Sequence, residues 1–289
     1  MFGQFIINGL IIGVLYSLLA IGFALVYNTT KIFHVAAAAI YVAAAYAFWF
    51  FCNSLSLPIW LGGLMAVVVT MLISLLTEIL VYRPLKKKKS SLNVAMIASI
   101  GVMTVLVNMI AMFFGNETKV ITNDVMGVLT VGDVVLTVPQ MWQFIVGSVA
   151  IVAFLVFLAK SAWGIRLRAI SCDDVLYSIL GYSVTGTRTV IFLLSGVFIA
   201  LASCLTVFEV GLDPNMGMNV LINAMVAMII GGVGRFGTCV AGGLILGVLQ
   251  SLVVYQFASS WQNAITFLVL LVFLFLRPQG IAGYKQRTV

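Results

Sequence analysis

Charge is what this chain has least of. Only 8% of its 289 residues are Asp, Glu, Lys or Arg, against about 25% in a soluble domain. Histidine occurs once, at His34, and no HExxH or carboxylate cluster is present. Metal-assisted and hydrolytic chemistry therefore have no residues to stand on. No GxxxxGK followed by Ser or Thr occurs, so the chain carries no phosphate-holding loop of its own for ATP. The GVGRFG stretch, Gly232 to Gly237, matches GxGxxG in letters only. An apolar helix precedes it where a dinucleotide site needs a strand, so it reads as a tight turn. The four cysteines (Cys52, Cys172, Cys204 and Cys239) form no CxxC pair and read as small apolar packing residues. No basic segment precedes the first apolar stretch, Phe5 to Tyr27. That stretch is too long for the core of a signal peptide and reads as a true span.

What is present is apolar length. Hydrophobic residues make up 63% of the chain, where a soluble domain has about 45–50%. Apolar stretches run near 4–27, 33–52, 58–82, 92–114, 141–160, 188–209, 219–234, 238–257 and 262–276. Crossing the hydrocarbon core takes about 20 residues, so the two short stretches, 219–234 and 262–276, leave the count at eight to nine. The net charge of +7 is informative through its placement. Arg83 with Lys86 to Lys89, then Arg166 and Arg168 between Lys160 and Arg188, and Arg277, Lys285 and Arg287 all fall on one side if nine spans start outside. The positive-inside rule makes that side the cytoplasm. Lys31 and Arg235 then also lie inside, and only Lys119 lies outside. Eight crossings would need an inside N-terminus, yet the first 30 residues hold no Lys or Arg. Lys86 to Lys89 read as a topology signal that meets anionic lipid headgroups, with a cytoplasmic protein as the other reading. No nucleic-acid partner is expected.

The segment from 115 to 140 falls outside and carries Glu117, Asp124 and Asp133. Gly132-Asp133 between two β-branched runs predicts a hairpin with a type II′ turn, either a packed ornament or a docking site. GLIIGVLYSL from Gly9 echoes GLILGVLQSL from Gly243. The two would cross in opposite directions, as in an inverted repeat. The glycines four apart in each predict close helix packing in either case. Asn28, His34, Asn108 and Asn223 are polar groups at or near membrane depth. Each either bonds a neighbouring helix or lines a path.

One polar island remains. DDVLYSIL, from Asp173 to Leu180, places apolar residues at 175, 176, 179 and 180, a one-sided helical stripe. Asp173 and Asp174 suit its N-terminus and Gly181 its stop. On physics alone this short helix either lies in the headgroups or fits a groove on a partner.

Here the sequence resembles the permease subunits of branched-chain amino acid ABC transporters, of the LivH type. Gly164, Arg168-Ala169, Asp173 and Leu180-Gly181 follow that family's pattern, and the likeness runs along nearly the whole chain. YRPL from Tyr82, ASIGVMTVLVNMIAMFFG from Ala98, DPNMG from Asp213, IIGGVGRFGTCVAGGLILG from Ile229 and LRPQGIAG from Leu276 follow in order. The resemblance implies an all-α polytopic membrane protein of eight to nine transmembrane helices, with a short cytoplasmic coupling helix and a small external hairpin. It implies one permease domain over 1–289, with its external loop at 115–140 and its coupling segment at 161–187. The coupling residues would be Arg168, Ala169, Asp173, Asp174, Leu176, Leu180 and Gly181.

The resemblance further implies a non-catalytic subunit with no cofactor of its own. Its partners would be two ABC ATPase subunits holding ATP and magnesium, a second permease (LivM-like or a second copy) and an external binding protein. The membrane would be the bacterial inner membrane, with the N-terminus outside and the C-terminus in the cytoplasm. The family's N-F-A-H-G is here His34-Val35-Ala36-Ala37-Ala38, both the histidine and the glycine becoming alanine. That leaves urea, short amides or another small solute open beside branched-chain or other hydrophobic amino acids. A channel or an ion-coupled transporter is the reading from another class. It is weakened because Glu78 and Glu209, the acids within spans, sit near span ends.

Overall fold

The computed structural model describes residues 2–121, 127–131, 134–277 and 280–281. Asp124, the Gly132-Asp133 turn, half of the tail motif, and Lys285 and Arg287 lie outside them. In hydrocarbon every backbone N–H and C=O must be bonded within the chain, so long apolar sequence closes into helices. Twelve α-helices are present among the described residues. α1 (Phe2–Thr30) is followed by an extended lead, Lys31 to Ala36, and by α2 (Ala37–Trp49). α3 (Ile59–Thr77) passes through a π turn (Glu78–Tyr82) into α4 (Arg83–Lys87). α5 (Leu92–Phe114) starts at Ser91, whose hydroxyl accepts from Val94 N–H.

β1 (Val128–Val131) and β2 (Val134–Thr137) pair antiparallel, Val131 opposite Val134. α6 (Val138–Lys160) opens with a capping box between Thr137 and Gln140, with proline in its first turn. α7 (Ala162–Cys172) and α8 (Asp174–Ile179) are short. α9 (Val184–Val210), α10 (Met216–Gly231), α11 (Thr238–Gln256) and α12 (Gln262–Leu276) complete the body.

Eight of these segments are long and apolar enough to span a membrane, and α10, at 16 residues, is shorter. Its C-terminal end lies against the end of α1, where Asn28 Oδ1 accepts from Gly234 N–H at 3.0 Å. One end of the body holds the hairpin, which Gln4 clamps through two 2.8 Å bonds to the backbone of Val135. The other end gathers Arg83, Lys86 to Lys89, Lys160, Arg166 and Arg168 and is here termed the basic end.

The core forms around α1. Of its apolar window 83% is buried, against 11% for α5 and α12, which are therefore outer helices. α1 and α11, the two echoing segments, pack directly on each other. A Cβ on Gly9 would lie 2.8 Å from Val248 Cα, and one on Gly13 2.9 Å from Leu244 Cα. Gly243 and Gly247 meet Ser17 and Gly13 from the other side. The relation is pseudo-twofold. Ser17 Oγ donates to Val240 O at 2.9 Å, and its counterpart Ser251 Oγ donates to Phe5 O at 2.6 Å. The predicted close packing is thus packing of the two echoes against one another.

Candidate functional site: a narrow apolar centre and a charged corner at the basic end

α2 and α10 do not begin at the membrane surface. Ala37 and Ala38, opening α2, line a small void together with Phe23, Tyr41 and Gly217. Phe23 lies seven residues inside the end of α1, or about 10 Å at 1.5 Å per residue. The lead into α2 therefore turns back into the body, and Ser99 Oγ accepts from Ala36 N–H at 2.8 Å to hold it there. Gly217, from the DPNMG stretch, opens α10 against the carbonyl of Ala38, where a Cβ would have no room. The void measures about 10 Å³, about the least that one water needs. Two helix starts thus meet at depth around a narrow, apolar centre.

The four polar residues singled out as path candidates are not brought together. Asn28 ties α1 to the GVGRFG turn, where Gly234 has a φ of 101°. His34 is fully buried in the lead, its Nδ1 2.7 Å from Tyr82 Oη, and Tyr82 Oη donates to Ser99 at 2.9 Å. Asn108 lies exposed on α5 and, among the described residues, bonds only its own helix, through Thr104 O at 2.7 Å. Asn223 belongs to a network that sequence reasoning missed. Tyr16 Oη donates to Gln250 Oε1 at 2.8 Å, Asn223 Nδ2 to Tyr16 Oη at 3.2 Å, and Gln250 Nε2 to Asn223 Oδ1 at 3.1 Å. Thr266 closes it by donating to Asn223 Oδ1 at 3.2 Å and bonding Gln250. Four helices (α1, α10, α11 and α12) are joined by it. A signal did exist, since Tyr16 and Gln250 occupy the same place in the two echoes.

All seven candidate coupling residues lie on one exposed run at the basic end. α7 was not foreseen. It folds back on the end of α6, and Gly164 permits the contact, since a Cβ there would meet the Leu158 backbone at 2.6 Å. Asp173 caps α8, its Oδ1 accepting from Val175 N–H at 2.8 Å and Leu176 N–H at 3.0 Å. Gly181, with φ of 85°, ends the turn. On α8 Tyr177 faces in and bonds Thr187, while Leu176 and Ile179 are 54% and 74% exposed.

Behind α8 lies a buried charged cluster. The π turn carries one residue more than a regular turn and points both Glu78 and Tyr82 inward. Glu78 Oε1 is 3.5 Å from Arg188 Nε and 3.8 Å from Arg83 Nε. Arg83 also donates to Thr189. Outside this pair, Lys86 Nζ is 3.2 Å from Asp174 on α8. The cluster thus fastens α3 and α4 to α8 and the second turn of α9. Sequence reading noted Glu78 and Arg188 separately and did not join them.

Comparison with known proteins agrees with this architecture. Residues 5–274 match the family model described as branched-chain amino acid transport system / permease component. The high-affinity branched-chain amino acid transport system permease protein BraD of Pseudomonas aeruginosa is 26% identical, over 98% of this chain and 96% of its own. LivH of Escherichia coli is 26% identical over 99% and 96%, and a probable LivH of Methanocaldococcus jannaschii 26% over 92% and 88%. Among solved structures, PsaBC from Streptococcus pneumoniae in complex with Fab has the same fold, with a TM-score of 0.54 at 14% identity, covering 96% of this chain and 92% of that one. The chain belongs to the family of branched-chain amino acid transport system permease components.

Proposed function

We propose that this chain is the permease subunit of an ATP-driven importer for branched-chain or other hydrophobic amino acids. The observation that carries the reading, beside the family, is α8. An apolar stripe left exposed at the charged end of a membrane body fits a groove on a water-borne partner, here the ATPase subunits. The positive-inside rule assigns the basic end to the cytoplasm of the bacterial inner membrane and the hairpin end to the outside, where a binding protein would deliver substrate. The chain performs no chemistry. ATP and magnesium act on the ATPases, and the permease moves substrate by exchanging two packings that those partners favour differently. A second permease, LivM-like or another copy, completes the path. One observation keeps urea or a short amide in view, because Ala37 and Ala38, where the family carries histidine and glycine, line the central void.

The test is uptake in proteoliposomes holding the chain with its permease and ATPase partners. ATP-dependent uptake of labelled leucine over urea is expected, and it is lost in L176D and I179D and reduced in R168A and D174A. Uptake by this chain alone without ATP overturns the importer reading. A preference for urea moves the substrate class.

A further inference from the structure

Beside the charged cluster the basic end holds a second cavity, of about 210 Å³, well over ten times what one water needs. Its charged lining is Lys86, Asp174 and Arg188, and its apolar lining includes Ile32, Leu85 and Leu92. Arg188 is only 4% exposed, and its Nη2 has no hydrogen-bond partner among the described residues. Arg83, Lys86 and Arg188 stand here against Glu78 and Asp174, leaving one positive charge uncompensated. A nearly buried guanidinium that lines a roomy cavity is costly unless something anionic completes it. The cavity also presents a carboxylate and an apolar wall, which bare phosphate would not use.

We infer that this cavity binds a zwitterionic apolar amino acid arriving from the basic end. Arg188 and Lys86 hold its carboxylate, Asp174 its ammonium, and Ile32, Leu85 and Leu92 its side chain. The choice of an amino acid rests on the transport reading above. Lys86 and Asp174 bond each other across the cavity wall, so the ligand separates them and frees α8 from α4. Accumulated product would thereby act on the docking helix from the side on which it is released and slow further transport.

Ser90 lines the cavity and serves as the reporter. In purified S90C protein, with C52A and C172S removing the accessible native thiols, labelling by a polar maleimide is timed with L-leucine present. At ten times its Kd leucine slows labelling about tenfold, because only the empty fraction reacts. Leucinamide, lacking the carboxylate, and 4-methylpentanoate, lacking the ammonium, protect far less. K86Q raises the half-protecting leucine concentration about tenfold or more, as loss of a charge-assisted bond does. D174N does so for leucine and leaves 4-methylpentanoate unaffected.

Labelling indifferent to leucine, or equal protection by all three compounds, overturns the inference. So does protection that needs phosphatidylglycerol in the nanodisc and not leucine, which would make the site one for a lipid headgroup. ATP-driven uptake by the same S90C protein separates the two proposals. Uptake without protection sinks only this site, and protection without uptake sinks only the transport reading.

Discussion

The body holds two polar clusters, and they are built differently. At the middle of α1, Tyr16, Asn223, Gln250 and Thr266 bond one another in a closed ring of uncharged groups. At the basic end, Glu78, Arg83 and Arg188 are charged, paired at 3.5–3.8 Å, and leave buried donors without hydrogen-bond partners. The first sits where glycines bring α1 and α11 into backbone contact, and each of its four side chains bonds at least two others. The second sits between the π turn and the helix that follows α8. A satisfied neutral ring fixes one arrangement of four helices. An under-bonded charged pair is sensitive to whatever enters beside it, which suits the part of a transporter that responds to a partner. Depth within the body and completeness of bonding therefore divide it into a packed half and a responsive half.

The contrast breaks most readily at Glu78. E78A leaves Arg188 charged, buried and unpaired, which costs about 3–5 kcal/mol. A sharp fall in the thermal midpoint and in monodisperse yield in detergent is expected. The double variant E78A/R188L removes both charges and recovers most of that loss. Equal damage in single and double variants would mean that the pair is not an electrostatic unit. Next comes the glycine seam. G247L forces a side chain into the backbone of Gly13, and overpacking of this kind costs typically about 1–3 kcal/mol. G101L on the exposed face of α5, where a Cβ meets nothing within 4 Å, leaves the midpoint of the isolated chain unchanged. Midpoints that fall equally would remove the distinction between core and outer helices. Smaller again is N223L within the ring. Interhelical hydrogen bonds in membranes average about 0.6 kcal/mol and reach about 1.7, so a shift of a few degrees at most is expected.

Much of this was legible from letters alone. A body of eight to nine apolar spans, the hairpin between β-branched runs, the striped island and the close packing of two GxxxG segments all follow from composition and local spacing. These properties are set by residues near one another in the chain. The π turn was not legible, since EILVY from Glu78 contains no proline or glycine to mark it. The turn decides that Glu78 and Tyr82 face inward, so the Glu78–Arg188 pair and the His34–Tyr82–Ser99 chain stayed hidden with it. Asn223 was visible as a polar residue in an apolar run, but its partners lie 207 residues before it and 27 and 43 after it. Spacing along a chain carries no information about such pairs. The re-entry of the lead before α2 depends likewise on Ser99, contributed by another helix.

The smallest expected effect is also the most discriminating, because it separates stability from coupling. Lys86 and Asp174 are each about half exposed, at 47% and 49% of their side chains. A pair so placed is worth about 0–1 kcal/mol and weakens with salt. K86A should therefore leave the thermal midpoint of the isolated chain within a degree or two, even at low ionic strength. Yet this pair joins α4, at the end of the π turn, to α8, which is capped by Asp173 and otherwise lies on the surface. In the reconstituted transporter K86A should uncouple part of the ATP hydrolysis from leucine uptake, measured as a higher ratio of phosphate released to leucine moved. The charge-swapped variant K86D/D174K should restore that ratio while K86A does not. If the ratio is unmoved in K86A, α8 is held by its own cap and by Tyr177 alone, and the responsive half of the molecule ends at Arg188.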